Sequence, residues 1–317
     1  MKPSVQTKVE AMKKQTIGVE IEMYGIERSK ASKVAAKFFG TNRSEYVARQ
    51  YGYETWAAWD NQGRIWKFQK DISIRTQKSS EQCELVTPIL TYSDIPMLQE
   101  LVRQLRKNGA KSDPKHMCGV HIHIGADGHN ALTLRNLTNI MASHEQILID
   151  ALTVSTSRIH TYCKTVNESF LNMVNSAKPK TMKRLSDIWY RSNGADYDRN
   201  AHYNNSRYHM LNLHSTFTKG TIEFRFFQFD NKSLQRQGGL HAGQLKSFIQ
   251  LCLAMSQLAK TVTTASRKPQ QMENPKYAMR TWLLRLGFIG EEFATARKVL
   301  TERLAGDAAF RTPRSIA

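Results

Sequence analysis

Residues 118–125 read CGVHIHIG, and the alternation of aliphatic and imidazole side chains in this stretch predicts a β-strand. Successive side chains of a strand point to opposite faces of its sheet. The aliphatic residues therefore share one face, while His121 and His123 share the other. Two imidazoles on one strand face are typical of a metal site, of a nucleotide-binding edge, or of the polar side of an ordinary sheet.

Three other stretches alternate in the same way and carry charged residues opposite their apolar residues. One outward-facing glutamate or one cross-strand Glu–Arg pair is ordinary in a sheet, so no single strand indicates a function. An antiparallel sheet can nevertheless keep one face on the core and present the other to a ligand. The stretches are TIGVEIEMYG (16–25), CELVTPIL (83–90) and TIEFRFFQFD (221–230), and the charged residues opposite their apolar sets are Glu20, Glu22, Glu84, Glu223 and Arg225.

The predicted polar face therefore combines carboxylates, imidazoles and one arginine. Carboxylates that converge on one face repel each other unless cations neutralise them. Carboxylates with one imidazole suit Mg²⁺ or Mn²⁺, whereas zinc prefers more nitrogen or sulfur. Divalent cations beside an arginine are a common means of neutralising phosphate oxygens in phosphoryl transfer.

The composition is that of a folded, strongly basic protein. The chain has 317 residues, and its 46 Lys and Arg against 27 Asp and Glu give a formal charge of +19. Such a surplus favours polyanionic partners such as nucleic acid. A role in solubility accounts for the surplus equally well, because the basic residues are spread along the chain.

The sequence gives no sign of membrane insertion or secretion. The N-terminus lacks the apolar region of a secretory signal, and no apolar run approaches the ~18 residues of a membrane span. The four cysteines form no CxxC pair. We therefore expect a cytoplasmic protein without membrane contact or a cysteine-based zinc site.

The order of predicted elements favours an α+β fold with a largely antiparallel sheet, because strands and helices do not alternate regularly enough for a parallel sheet. Neither GxxxxGKS nor GxGxxG occurs, so any nucleotide must be held without a Gly-rich phosphate loop. Helices are predicted over 29–40, 92–109, 131–155 and 237–260, and a further strand over 207–215.

The other histidines share no spacing. His116 and His214 are among them, and we expect most of the group to lie on the surface or in loops. His144 falls on the apolar stripe of a predicted helix, so we expect it to be packed rather than to bind a metal.

The order of these motifs resembles the phage and bacterial amidoligases of the glutamine synthetase-like superfamily. The resemblance implies a curved, largely antiparallel sheet with helices on one face, as in the catalytic domains of glutamine synthetase and glutamate–cysteine ligase. The residues that carry it are GVEIE (18–22), DIS (71–73), CELVTPIL (83–90), CGVHIHIG (118–125), RYHMLNL (207–213) and TIEFRFF (221–227).

The resemblance implies a set of metal ligands on four strands. Glu20 and Glu22 of the GxExE strand would bind two different cations, and Glu84 would join Glu22. His121, the first histidine of the HxH strand, would join Glu20 and Glu223 on the cation that holds the phosphates of ATP.

The resemblance also implies residues that bind substrate. His123 would meet the nucleotide or order the site, and Arg225 would face the transferred γ-phosphoryl group. Asp71 of the DxS segment would be a further ligand or contact the amine and take its proton. Arg207 and Asn212 would contact the nucleotide or the substrate.

One stretch departs from the family pattern. Glutamine synthetase and glutamate–cysteine ligase carry another acid shortly before the ELVTP-type strand. Here RTQKSSEQ (75–82) offers only Glu81, at the wrong spacing. Asp71 would substitute for that acid, and the number of metal ions stays open.

The resemblance implies an ATP-dependent carboxylate–amine ligase that uses Mg²⁺ or Mn²⁺ and forms an amide or isopeptide bond through an acyl phosphate. The basic charge favours anionic or polymeric substrates. Two alternatives stay open: a metal-dependent hydrolase active without ATP, and a non-catalytic nucleic-acid-binding protein whose DNA binding is sensitive to salt. We expect a flexible basic leader over 1–15, the amidoligase domain over 16–260, and a linker with a helical extension over 261–317.

Overall fold

The computed structural model describes residues 4–229, 239–269 and 272–311. The strands are β1 (Ile17–Met23), β2 (Ser44–Tyr46), β3 (Trp56–Trp59), β4 (Ile65–Gln69), β5 (Cys83–Val86), β6 (Val120–Gly125), β7 (Leu211–Asn212) and β8 (Thr221–Phe227). The helices are α1 (Val5–Lys13), α2 (Arg28–Phe38), α3 (Ala48–Tyr51), α4 (Ile95–Lys107), α5 (Ala131–Leu152), α6 (Thr156–Thr161), α7 (Glu168–Ala177), α8 (Met182–Ser192), α9 (His214–Lys219), α10 (Ala242–Thr261), α11 (Pro275–Arg285) and α12 (Ala294–Thr301).

The chain forms two compact units. We call the first the sheet unit, which comprises Thr16–His123 and Phe227–Lys246. We call the second the helical unit, which comprises Met1–Gln15, Ile124–Phe226 and Ser247–Ala317.

The strands of the sheet unit are arranged in the order β2-β3-β4-β5-β1-β6. Each neighbouring pair from β2 to β1 is antiparallel, with Ile21 opposite Leu85 between β1 and β5. The prediction of an α+β fold with a largely antiparallel sheet is therefore confirmed. The order also separates sequence neighbours, because the insertion from β2 to β4 lies outside β5 rather than between β5 and β1.

Helix α2 packs on the apolar face of this sheet, and helix α4 packs against α2. Trp66 and Phe68 of β4 are fully buried, as is Leu85 of β5. Helix α2 packs on β3 and β4 and against α4. Its sheet-facing residues include the small, buried Ala31 and Ala35, which allow a close approach of helix to sheet.

Helix α4 begins and ends where the sequence signals place its boundaries. Pro96 lies in the first turn, where its missing N–H is not needed, and Gly109 follows the end with a positive φ of 107°. The side chains of Thr91 and Asp94 form a reciprocal capping box just before the helix. This part of the 92–109 prediction is confirmed.

The predicted strand over 207–215 is largely wrong. Only Leu211–Asn212 forms a strand, and helix α9 begins at His214. The cause is local, because the side-chain carbonyl of Asn212 accepts hydrogen bonds from the backbone N–H groups of His214 and Ser215. An asparagine that binds the two residues after it favours a turn over a continued strand.

The residues predicted as a leader contain helix α1 of the helical unit. Its Val9 and Met12 are buried. Gln15, just after the helix, donates a hydrogen bond to the backbone carbonyl of Leu253 at 3.0 Å and accepts one from Ser256. The domain limits at residues 15 and 260 stay predictions.

None of the helices in the described part of the chain combines the length and the apolar character required to cross a membrane.

One half-buried acid of the helical unit makes stability depend on pH. Glu145 of α5 accepts a hydrogen bond from the backbone N–H of Val166, and burial raises its pKa to about 7. The charged form is therefore less favourable in the folded protein than in the unfolded chain. Stability is greatest below the unfolded pKa and falls as pH rises through 7, by about 3 kcal/mol in total.

We expect Glu145→Gln to raise the free energy of unfolding at pH 8 and to change it little at pH 5. Glutamine keeps an acceptor for the Val166 N–H but cannot ionise. Urea unfolding of both proteins at the two pH values measures the difference. An equal difference at pH 5 and pH 8 would contradict this account of Glu145.

Candidate functional site

A row of polar side chains crosses three strands of the sheet unit. The register places Glu84 of β5 opposite Glu22 of β1, and Gln69 of β4 opposite Glu84. Residues that face each other across antiparallel strands point to the same side of the sheet. The side chain of Gln69 donates a hydrogen bond to Oε2 of Glu84 at 2.8 Å. The two carboxylates are thus fixed as neighbours by strand pairing.

Both histidines of β6 approach Glu20 of β1. Nδ1 of His121 lies 2.9 Å from Glu20 Oε2, and Nε2 of His123 lies 3.3 Å from Glu20 Oε1. The other ring nitrogen of His121 lies 3.7 Å from Glu22 Oε1. Both imidazoles are buried. The HxH strand therefore faces the carboxylates, as its alternation predicts.

Gly18 and the backbone of Gly119 contribute to this close packing. A Cβ on Gly18 would lie 3.3 Å from the Cβ of His123, a tighter contact than side chains normally make. The backbone N–H of Gly119 donates to Oε2 of Glu22 at 2.5 Å, which holds that carboxylate against the start of β6. Gly18 of GVEIE is thus needed because a larger side chain would press against His123 on the neighbouring strand.

Asp71 reaches the same carboxylates from a turn after β4. Its Oδ1 accepts the backbone N–H of Ser73 at 2.7 Å, which orients the DIS segment. Asp71, Glu22 and Glu84 can each offer a ligand atom within 4.8 Å of the others, and so can Glu20, Glu84 and His121. We call Glu20, Glu22, Asp71 and Glu84 the acid cluster.

The negative charge of Glu84 is not balanced by a positively charged neighbour in the acid cluster. Burial raises the pKa of Glu84, and Glu20, Asp71 and Glu22 raise it further, well above its usual range. The hydrogen bond from Gln69 offsets only part of this rise.

Glu20 behaves in the opposite way. Burial alone would raise its pKa, but the adjacent His123 and His121 outweigh burial and hold the pKa of Glu20 well below its usual range. Neighbouring carboxylates of the cluster therefore differ strongly in their proton affinity.

The donor set fits a hard divalent cation. Each of the two groups contains at least two carboxylates, only one contains an imidazole, and Glu84 belongs to both. Oxygen-rich sets of this kind suit Mg²⁺ or Mn²⁺. A bound cation would also supply the positive charge that is missing beside Glu84.

The other predicted site residues lie in the helical unit. Asn212 of β7 is opposite Glu223 of β8, and its Nδ2 donates to Glu223 Oε2 at 2.6 Å. Arg225 donates to the other oxygen of Glu223. The guanidinium of Arg158 donates to the backbone carbonyl of Arg225 at 3.2 Å. All four side chains are buried.

A cavity of about 220 Å³ opens beside Glu223 in the helical unit, and it is lined mainly by polar and basic side chains. Its lining includes the predicted Arg207 and Asn212, together with His214 and Lys219, which no sequence pattern indicated. His214 is not a surface residue, because its Nδ1 lies 2.7 Å from the hydroxyl of Tyr190 and its ring is buried. Burial, and then the charge of Arg207, lower its pKa.

His144 and Glu81 lie outside the acid cluster. His144 stacks on the indole of Trp282 at 4.0 Å, so the prediction that it is packed is confirmed. Glu81 lies in the short 3₁₀ helix before β5, 3.8 Å from Lys78. It belongs to none of the metal-capable groups in the described residues.

Comparison with known proteins gives one family. The model of the family described as "Putative amidoligase enzyme" matches residues 13–256. The chain belongs to this amidoligase family. Curated proteins give no significant match.

Among solved structures, the chain is similar to a bifunctional glutathione synthetase from Pasteurella multocida, with 13% identity and a TM-score of 0.45. The alignment covers 94% of this chain and 48% of that protein, so the chain spans about half of its length.

We expect Glu84→Gln to stabilise the protein in the absence of divalent cations and to remove stabilisation by them. Glutamine still accepts the hydrogen bond from Gln69 but relieves the carboxylate repulsion. Thermal unfolding at pH 7.5 should show a melting temperature at least about 2 °C higher than wild type in EDTA. Millimolar MgCl₂ or MnCl₂ should raise the melting temperature of wild type only.

Glu81→Gln is the matched control, since Glu81 is outside the acid cluster. It should respond to Mg²⁺ as wild type does. An equal metal response in Glu84→Gln and wild type would contradict the assignment of Glu84 as a ligand.

Proposed function

We propose that this protein is an ATP-dependent carboxylate–amine ligase with divalent cations held by the acid cluster. The observation that carries the proposal is the position of the buried Glu84, in a chain of the amidoligase family. It lies within ligand distance of two pairs of side chains, Glu20 with His121 and Glu22 with Asp71. Buried carboxylates at this density are unfavourable alone and favourable around cations.

The two groups suggest two positions for metal. Glu20, Glu84 and His121 would hold one cation, and Glu22, Asp71 and Glu84 would hold another. When bound, Mg²⁺ would screen the negative charges of the ATP phosphates and the substrate carboxylate from each other. Ligation by Glu223 and contact of Arg225 with the γ-phosphoryl group stay predictions.

The contacts of His121 suit a metal ligand. Glu20 accepts a hydrogen bond from Nδ1–H of His121, which leaves the lone pair on Nε2. A carboxylate that fixes the tautomer in this way also orients the coordinating nitrogen. Glu20 would then act on the metal both directly and through His121.

The reaction has two steps. A carboxylate oxygen of the first substrate attacks the γ-phosphorus of ATP, and ADP leaves with the electrons of the broken P–O bond. The neutral amine of the second substrate attacks the carbonyl carbon of this acyl phosphate. Phosphate leaves, and the nitrogen loses a proton to give the amide.

The cavity beside Glu223 supports the choice of an anionic ligand. Arg207 and Lys219 bring two positive charges to its wall, whereas the carboxylate of Glu223 is already bonded to Arg225 and Asn212. We propose that the nucleotide or an anionic part of a substrate enters here, and that Arg207 and Asn212 contact it.

Metal-dependent ADP release and hydroxamate formation test the proposal. Purified protein is incubated with ATP, MgCl₂, hydroxylamine as the amine, and pools of amino acids, dicarboxylates and short peptides as carboxylates. Glu84→Gln and His121→Ala should each lower turnover by 100-fold or more, in the range that positioned catalytic groups contribute. Mass spectrometry should show the hydroxamate.

Glu81→Gln should retain turnover and serves as the control. Full turnover in both site variants, or no ATP-dependent product in any pool, would overturn the proposal. A product formed without ATP would favour the metal-dependent hydrolase.

The two histidines of β6 should have different effects. We expect His121→Ala to reduce metal affinity, because His121 completes a ligand group. His123→Ala should mainly raise the KM for ATP, because His123 contacts Glu20 and is predicted to meet the nucleotide. Mn²⁺ titration and ATP kinetics on both variants measure the two effects, and identical profiles would contradict the division of roles.

A further inference from the structure

Three side chains at the edge of the sheet unit form a hydrogen-bonded chain that the proposed function does not use. The hydroxyl of Tyr24 donates to Oδ2 of Asp113 at 2.5 Å. Nδ1 of His116 lies 3.0 Å from both oxygens of Asp113. The imidazole of His116 also stacks on the ring of Tyr24, with centroids 3.7 Å apart.

This chain lies on the same side of β1 as the acid cluster. The backbone N–H groups of Glu22 and Tyr24 donate to Gly119 and Lys111 respectively, which continues the regular alternation of the strand to Tyr24. Residues two apart in a strand share a face. Tyr24 is therefore the next side chain after Glu22 in that row, and His116 is stacked on it.

A second connection leads from His116 to the acid cluster. The backbone N–H of Arg75 donates to the carbonyl of His116 at 2.9 Å, and Arg75 lies four residues after Asp71. On the other side, Gly119 follows His116 by three residues and binds the carboxylate of Glu22. The His116 loop is thus attached to segments that carry two members of the cluster.

The arrangement has the properties of an oriented base. Asp113 is 1% exposed, and its Oδ1 accepts the backbone N–H groups of Lys115 and His116 at 2.8 and 3.1 Å. Burial alone would raise its pKa, but Tyr24 and His116 outweigh burial and lower the pKa. An ionised Asp113 holds the Nδ1–H tautomer of His116, so the lone pair lies on Nε2.

His116 differs from the histidines of β6 in its access to solvent. Its side chain is 38% exposed, whereas those of His121 and His123 are buried. Because Nε2 is on the opposite side of the ring from Nδ1, it points away from Asp113. A substrate can therefore reach the basic nitrogen.

We propose that His116 is the general base for the amine, with Asp113 and Tyr24 as positioning residues. This inference rests on the proposed ligase function. Nε2 of His116 takes a proton from the amine nitrogen, whose electron pair forms the new bond to the carbonyl carbon of the acyl phosphate. The C–O bond to phosphate breaks, and phosphate leaves with its electrons. The base proposed here is thus distinct from Asp71.

The charged and titratable groups around His116 come from three segments. Asp113 and Lys115 belong to its own loop, Tyr24 directly follows β1, and Arg75 belongs to the segment after β4. Of the charged groups, Asp113 is in direct contact with the ring, and its carboxylate holds the orientation of the imidazole.

Two amines of different proton affinity separate a base from a structural residue. Ammonia is mostly protonated at pH 7 and must lose protons to react, whereas hydroxylamine is mostly neutral. A base is therefore needed far more for ammonia. The assay uses ATP, MgCl₂, and the carboxylate pool that gives hydroxamate with wild-type protein.

We expect His116→Gln to lower kcat with ammonia by roughly 100-fold or more and to leave hydroxamate formation within a few fold of wild type. The residual ammonia rate of the variant should rise with pH in proportion to the fraction of free ammonia, because no base then takes the proton from ammonium. Asp113→Asn, which keeps acceptors for the backbone N–H groups, should give the same selective loss. His160→Gln, a change of an exposed histidine on α6, is the control and should match wild type.

Each outcome decides the inference. Equal losses with both amines, or an unchanged ammonia rate and pH profile in His116→Gln, would overturn the role of His116 and leave the ligase assignment intact. Absence of hydroxamate with wild-type protein in all pools would overturn the ligase function and the inference with it.

Discussion

Glu84 lies buried on the polar face of the sheet unit, where the carboxylates of Glu20, Glu22 and Asp71 surround it. At a separation of 4.8 Å and an effective dielectric constant of about 20, two unit charges repel by roughly 3 kcal/mol. A folded protein gains only a few times this energy in total. The arrangement is therefore stable only when protons, hydrogen-bond donors or cations offset the charge, and the chemistry of the site follows from that requirement.

The sheet imposes this proximity and cannot relax it. Strand pairing fixes Glu84 opposite Glu22 and beside Gln69, while the other faces of the same strands hold Trp66, Phe68 and Leu85 in the core. A shift of one residue in register would carry the acids into the core and the apolar residues to the surface. Burial of apolar side chains against α2 and α4 thus supplies the stability that keeps the carboxylates together.

The sequence allowed the faces of the strands to be predicted because side-chain direction alternates with a period of two. Glu20, Glu22, Glu84 and both histidines of β6 could be assigned to one side without knowledge of the strand order. Asp71 could not be assigned by alternation, since it lies in a turn, and only the DIS resemblance indicated it. The neighbour relation of β5 and β1 also depends on long-range pairing that periodicity does not encode.

Two kinds of interaction account for the predictions that were wrong or incomplete: side-chain hydrogen bonds that compete with strand formation, and contacts between residues distant in the sequence. The side chain of Asn212 accepts the backbone N–H groups of His214 and Ser215, so a stretch with strand-like alternation over 207–215 turns after two paired residues. His116 and His214 have no informative spacing in the sequence, because Asp113, Tyr24 and Tyr190 reach them through the fold.

The same carboxylate chemistry produces opposite results at two positions of the sheet unit. Glu84 meets mainly other carboxylates, and its charged form is disfavoured. Asp113 meets a phenol, an imidazole and two backbone N–H groups, and its charged form is favoured. The first environment would be stabilised by a bound cation, whereas the second holds a stable negative charge that can orient a histidine. The proposed ligase reaction would need both environments, because the phosphates of ATP would require cations and the amine would require a base. A base placed inside a cation-rich cluster would have a lower affinity for protons.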